Sequence, residues 1–334
     1  SPGCSPTRAA ILCGAQIWQI REAGTHDSVF PGDLVTYPDL LSKAGYQVGH
    51  VGKGWGPGSF KGQRDVPPVG PDVVSPTIVP PTTGISNEDY AGGFRRFLAN
   101  RPPGSPFCFW LGANEPHRGY QKDTGNNNAL QNFNPAHVQV PGYLPDTPTV
   151  RGDMADYLLE IKWFDYHVQR AILSLTSAEL DNTIVIVCSD NGMPFPNGKA
   201  NIRPGGVRSP LAIRWPNGIN QPGRVVEDWV SLIDIAPSVL KAAGIAVPEQ
   251  MSGKDLAPIF QSEGGGDVPG FDRKGMLAGR ERHTNARPLN AGYPGRVLFR
   301  DQYCLIWNVK PDRWPTGTTS SNTAKLSRPS SATN

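Results

Sequence analysis

Near the start of the chain stands Cys4-Ser5-Pro6-Thr7-Arg8, and this run carries a strong chemical signal. Pro6 suits the first turn of a helix, with Ser5 predicted as its N-cap. Cys4 then lies at the positive end of the helix dipole beside free backbone N–H groups, a position that suits an anion or a nucleophile. Arg8 falls about one turn into that helix, where its planar fork can hold an oxyanion or orient the group at position 4. A second cluster is Ser189-Asp190-Asn191-Gly192. Its adjacent carboxylate and amide offer hard oxygen ligands for calcium or magnesium, although the same composition also forms turns. A third is Asn114-Glu115-Pro116-His117-Arg118, in which His117 can protonate a leaving group while Glu115 and Arg118 orient a substrate.

The elements that must position these residues follow from the apolar pattern. Strands are predicted at Tyr46–Val51, Pro106–Leu111, Thr183–Cys188 and Leu211–Trp215, and helices at Tyr37–Ala44, Asp153–Leu180 and Ser231–Ala243. Short apolar strands alternating with helices imply an α/β fold, a mostly parallel sheet covered by helices on both faces. Ligands of such sheets bind beyond the carboxyl ends of the strands. Lys53, the 114–118 loop and Asp190-Asn191 all fall there. His50 projects to the other side of its strand from Lys53 and reads as a structural residue. A Gly-rich stretch, 261–272, leads to a hairpin of Val297–Arg300 and Tyr303–Asn308 around Asp301-Gln302, part of a small antiparallel subdomain. The domain boundaries read as 1–262 and 263–314, with a Ser/Thr/Asn/Pro tail over 315–334 expected to be disordered.

Composition narrows the field. The 334 residues include 38 Gly and 34 Pro, which excludes a helical bundle and calls for many loops. A net charge of +3 is too balanced for a general nucleic-acid binder, so anion recognition has to be local. No run approaches the length of a membrane span. The five cysteines are scattered and form no CxxC pair, against a zinc ribbon or a disulfide scaffold.

The run Cys4–Gly14 (CSPTRAAILCG) resembles the signature of the type I, formylglycine-dependent sulfatases of the alkaline phosphatase-like superfamily. Gly45–Trp55 resembles their second signature, 107–118 their Pro-His loop, and Ser189-Asp190-Asn191-Gly192 with Gly198-Lys199 their metal and sulfate-binding segment. The resemblance implies that Cys4 is oxidised to formylglycine and that Arg8 is its partner. It further implies that Lys53 and Lys199 reach the sulfate, that His117 acts on the leaving group, and that Asp190, Asn191 and the modified Cys4 hold Ca2+ or Mg2+. The chain departs from the family at three places: Gly3, Cys13, and the pair Trp55-Gly56 where a histidine is usual. The family's first strand, which ends in an Asp pair and completes the metal site, has no counterpart in this chain.

Within the family, SDNGMPFPNGKAN, the 115–118 loop and Arg280-Glu281-Arg282-His283 are most similar to the sulfamidase-like group. That likeness implies hydrolysis of a sulfate ester or sulfamate on a carbohydrate, with Arg118, Arg203, Arg280, Arg282 and His283 as candidates for binding an acidic sugar. The implied partners are a sulfated carbohydrate and a formylglycine-generating enzyme, with no nucleic acid and no membrane. The implied compartment is periplasmic, extracellular or lysosome-like. A phosphate or phosphonate ester hydrolase of the same superfamily and an inactive glycan-binding domain remain the alternatives.

Overall fold

The computed structural model describes residues 1–283 and 287–313. Helix α1 covers Cys4–Cys13, so it starts earlier than a Ser5 N-cap implies. Gly3 occupies the N-cap position in an extended conformation without a side-chain cap, and Ser5 lies inside the helix. Gly14, at φ 57°, ends the helix in the left-handed region that glycine adopts without steric cost. Helix α2, Tyr37–Lys43, is opened by a capping box. The Asp39 N–H donates to Thr36 Oγ1 at 3.4 Å, and the Thr36 N–H donates to Asp39 Oδ2 at 3.0 Å.

Strand β1 (Gln47–Gly52), helix α3 (Tyr90–Asn100) and strand β2 (Phe107–Gly112) follow. Helix α4 runs over Pro148–Ile172 rather than the expected 153–180. Thr147 and Pro148 start it early, with Thr147 accepting from the Val150 N–H at 3.3 Å. Thr176 breaks it, because its side chain caps a separate short helix, Ser177–Asp181, by accepting from the Glu179 N–H. Strands β3 (Val185–Cys188) and β4 (Leu211–Arg214) and helix α5 (Ile235–Ala242) complete the larger part of the described chain.

β1 and β2 pair in parallel, in register from Gln47↔Phe107 to Gly52↔Gly112. Alternate residues of β2 face opposite layers, as strand geometry requires. Phe107 and Phe109 meet Phe94 and Phe97 of α3, while Cys108 and Trp110 pack on the core built by α1, α2 and α5. Both faces of this pair are therefore covered. The second pair, β3 with β4, is antiparallel, a departure from the mostly parallel pairing expected. Among the described residues each of β2 and β3 has a strand on one side only, and their other edges line one cavity of about 1730 Å³. Strands hydrogen-bond only at about 4.8 Å separation, and no described strand stands between these two. The sheet is thus two pairs rather than one run.

Strands β5 (Met276–Arg280), β6 (Gly295–Arg300) and β7 (Tyr303–Asn308) form the antiparallel C-terminal sheet, with Arg300↔Tyr303 closing the hairpin expected around Asp301-Gln302. The 315–334 segment expected to be disordered lies outside the described residues. The stretch before β5 is fastened to the core through Asp234, which is fully buried. Arg273 donates to both its oxygens, at 2.5 and 2.8 Å, and the N–H groups of Ser231 and Lys254 donate to it at 2.7 and 2.8 Å. Removing one partner of a buried pair of this kind costs about 3–5 kcal/mol. Among the described residues, no helix is long and apolar enough to cross a membrane.

Candidate active site

Cys4 begins α1 and is 3% exposed. Its thiol points at Asn191, with Sγ 3.6 Å from the amide oxygen Oδ1. Arg8, one turn along, joins three segments. Its Nε donates to Asp190 Oδ2 at 2.7 Å, and its Nη1 donates to the carbonyls of Lys53 and Gly54 at 2.6 and 3.1 Å. The two motifs that the sequence places 182 residues apart therefore meet at a single ion pair. Burial works to raise the Asp190 carboxyl, but the charges of Arg8, Lys53 and Lys199 and the Arg8 hydrogen bond hold it below the usual range.

Lys53 and the 114–118 loop leave the ends of β1 and β2. The Lys53 carbonyl also accepts from Trp110 Nε1 at 3.2 Å. Trp55, which stands in place of the family histidine, is a brace. Its Nε1 donates to the Ser5 carbonyl at 3.1 Å and its ring meets Phe30 edge-on at 5.2 Å. His50 is buried, with Nδ1 2.9 Å from the Gly70 carbonyl, in the structural role expected of it. Glu115 turns inward: its carboxylate accepts from the Ser86 N–H at 2.8 Å and the Tyr90 hydroxyl at 3.0 Å, so it anchors the loop. Arg118 forms a bidentate pair with Asp153 of α4, at 2.9 and 2.7 Å.

His117 and Lys199 meet directly, with Nζ 3.0 Å from Nε2. Burial, then the Lys199 charge, lower the His117 pKa from its ordinary 6.5. Near neutrality its ring is the acceptor and the ammonium the donor. A proton-donating His117 is lost as pH rises through that lowered value, and kcat/KM reports the free enzyme's titration. A reaction that needs His117 as its proton donor is therefore expected to slow as pH rises through that lowered value, below 6.5. His117→Ala should cost roughly 10²–10⁴-fold and remove that dependence. A pH–rate series on parent and variant measures both, and equal rates would take His117 out of the mechanism.

The C-terminal segment closes one side. Arg280 Nη1 donates to the Ala200 carbonyl at 2.6 Å, next to Lys199. Arg282 is 8% exposed and clamps the chain itself, donating to the His26 and Asp27 carbonyls at 2.8 and 3.2 Å and to Asn290. His283 meets His26, ring centroids 4.7 Å apart. Sequence reading singled out His283 but not His26, which sits in no recognisable motif. Arg203, at the N-cap of the short helix Pro204–Val207, is exposed.

The expected metal ligands do not make a site by themselves. Asp190 is the one carboxylate among them, already bound by Arg8, with Lys53 and Lys199 in electrostatic reach. Among the described residues no group of three or more His, Cys, Asp or Glu side chains could hold a metal ion. Calcium takes six to eight oxygens, and Asp190 with Asn191 falls short of that.

The chain is 28% identical to N-sulphoglucosamine sulphohydrolase of Homo sapiens, an alignment covering 92% of this chain and 64% of that protein. It is 25% identical to N-acetylglucosamine-6-O-sulfatase of Bacteroides thetaiotaomicron, covering 78% of this chain and 62% of that protein. It thus spans less than two thirds of the length of these relatives. The fold matches a protein solved in complex with its substrate D-glucosamine-2-N,6-O-disulfate, with TM-score 0.62 and 18% identity over 92% of this chain and 82% of that one. It also matches the phosphonate monoester hydrolase of Silicibacter pomeroyi, with TM-score 0.63 and 18% identity over 97% of this chain and 83% of that one. These likenesses establish an alkaline phosphatase-like architecture. The family model described as Sulfatase matches residues 1–245, and the chain belongs to that family.

Proposed function

We propose that this chain carries the machinery for hydrolysing sulfate esters or sulfamates on a sulfated carbohydrate, with Cys4, oxidised to formylglycine, as the nucleophile. One observation carries the reading: Cys4, Arg8, Lys53, His117, Asp190 and Lys199 converge at the carboxyl ends of β1, β2 and β3. Around the single carboxylate stand Arg8, Lys53 and Lys199, a cationic surplus that draws an anion. Formylglycine supplies an oxygen nucleophile that a thiol does not. The protein's own groups do the rest. Lys53 and Lys199 hold the sulfate, Arg8 fixes Asp190 and the 53–54 backbone against α1, and His117 hands a proton to the departing sugar oxygen or nitrogen.

Calcium would belong beside Asp190 and Asn191, but these residues alone do not hold it, so no step is assigned to it. The sulfated glucosamines of the two relatives and of the structural neighbour favour a sulfated glycosaminoglycan as substrate. Such a substrate places the protein in the periplasm, outside the cell or in a lysosome-like compartment, after maturation by a formylglycine-generating enzyme. Residues 1–262 form the catalytic unit and those from 263 the small subdomain. The test is release of sulfate from N-sulfated and O-sulfated glycosaminoglycan and algal oligosaccharides by the matured protein. Faster hydrolysis of an aryl phosphate than of an aryl sulfate would replace this reading with a phosphoryl one.

A further inference from the structure

Four segments from distant parts of the chain meet beside Cys4, and sequence motifs explain only some of what they bring. The first is the run Pro2-Gly3 ahead of Cys4. The Ala200 N–H, next to Lys199, donates to the Pro2 carbonyl at 2.7 Å, and Arg280 holds the Ala200 carbonyl at 2.6 Å. The other two segments carry His26 and His283. They are sewn together by Arg282, whose guanidinium takes the carbonyls of His26 and Asp27, while the His26 N–H donates to the Arg282 carbonyl at 3.2 Å. The outcome is a tilted pair of imidazoles with centroids 4.7 Å apart.

This pair stands against the nucleophile's helix. A Cβ placed on Gly3 would lie 3.3 Å from His283 Nδ1, tighter than ordinary contact. The residue before Cys4 therefore has no side chain where the imidazole sits, which accounts for a glycine at this position. Both rings are in electrostatic reach of Lys199, and His26 also of Lys53. Both are partly exposed. Among the described residues no hydrogen bond engages a ring nitrogen of either, so a donor and an acceptor on each ring are open to a ligand.

We propose that His26 and His283 form a hydroxyl-recognition subsite, a wall that takes the hydroxyl groups of the sugar ring whose sulfate lies at Lys53 and Lys199. An anion wants donors only, and the lysines supply them. A hydroxyl is donor and acceptor at once, the match for a neutral imidazole. Burial and the neighbouring cations keep the pair neutral, with His283 pushed down to about 4. The inference rests on the sulfated-carbohydrate reading and names the part of the substrate that the cationic cluster does not recognise.

The test is binding, which needs no turnover. The chain is titrated calorimetrically with a hexose 6-sulfate and with methyl sulfate, two monoanionic esters of which one carries ring hydroxyls. The parent should prefer the hexose sulfate, and His26→Ala with His283→Ala should reduce that preference by about 10-fold, since each lost neutral hydrogen bond is worth a few-fold. His26→Asn with His283→Asn, which keeps a donor and an acceptor, should restore part of it. If the alanine variant does not fold, imidazole nitrogen shifts in the parent replace it. These shifts should move with hexose sulfate and not with methyl sulfate. An unchanged preference in the variant, no preference or no hexose sulfate binding in the parent, or shifts that move equally with both, overturns the subsite. A separate hydrolysis assay keeps the two readings apart. Absence of sulfate release with the preference intact counts against the sulfatase reading alone, and release without preference counts against the subsite alone.

Discussion

Made together with a formylglycine-generating enzyme, the chain should yield a Cys4 peptide that has lost one sulfur and two hydrogens and gained one oxygen, the change from thiol to aldehyde. The geometry sets a condition on when this happens. Cys4 is 3% exposed, at the first turn of a helix whose every residue is buried, with its thiol turned to Asn191. An enzyme cannot reach a thiol so placed without opening α1, so conversion is expected during synthesis and not after folding. Adding the generating enzyme to folded protein should leave a thiol that alkylates only in denaturant. In the matured protein Cys4→Ala should lower turnover by at least ~10⁴-fold, since loss of the nucleophile removes the covalent route and leaves only binding and electrostatics. Intact mass and sulfate release measure the two effects. A fully alkylatable thiol from co-expression would count against the sulfatase reading as a whole.

Calcium titration should show no binding tighter than about 10⁻³ M for residues 1–334 alone, the weak end of the range set by carboxylate count. Arg8, Lys53 and Lys199 oppose the dication, and Asp190 is the one carboxylate among its expected ligands. The cavity between β2 and β3 suggests what would change this. Its two sides are open strand edges. Its faces are apolar, with Leu41 and Val239 from one helical layer and Phe94, Phe164, Val168 and Ile172 from the other, and its lining reaches Cys4, Lys53, Asp190 and Lys199. A peptide of about six apolar residues would cover the length of β2 at ~3.3 Å per residue. If it ends in two aspartates, it should pair with both edges and place its carboxylates at the cationic end. Supplied by fusion or as a peptide, it should tighten calcium binding by about 100-fold or more, as added carboxylates do. Sulfate release should rise with it. Tight binding by the unextended chain would mean that other residues complete the site, and the assignment of Asp190 and Asn191 would have to be redrawn.

The local chemistry was legible in the sequence by itself. Cys4 and Arg8 share one helical turn, and Lys53, His117 and Asp190 each follow a short segment that reads as a strand. The C-terminal hairpin was legible for the same reason: alternation and a turn dipeptide are short-range features. Other features depended on contacts between distant segments. The sequence allows Arg8 to face a substrate oxyanion, yet it is bound to Asp190 and to the 53–54 carbonyls. Glu115 and Arg282 carry charges that suit a ligand, but they serve Tyr90 and Ser86 in one case and the 26–27 backbone in the other. Trp55 reads as a lost histidine until its indole is seen supporting the Ser5 carbonyl. His26 belongs to no motif and gains its place only by meeting His283 from the far end of the chain. Spacing along a helix or strand determines which residues lie at an element's end. Which buried polar group satisfies which partner is set by how the elements pack, because each unpaired group in the interior costs about 1–3 kcal/mol and the tertiary structure settles those pairings together.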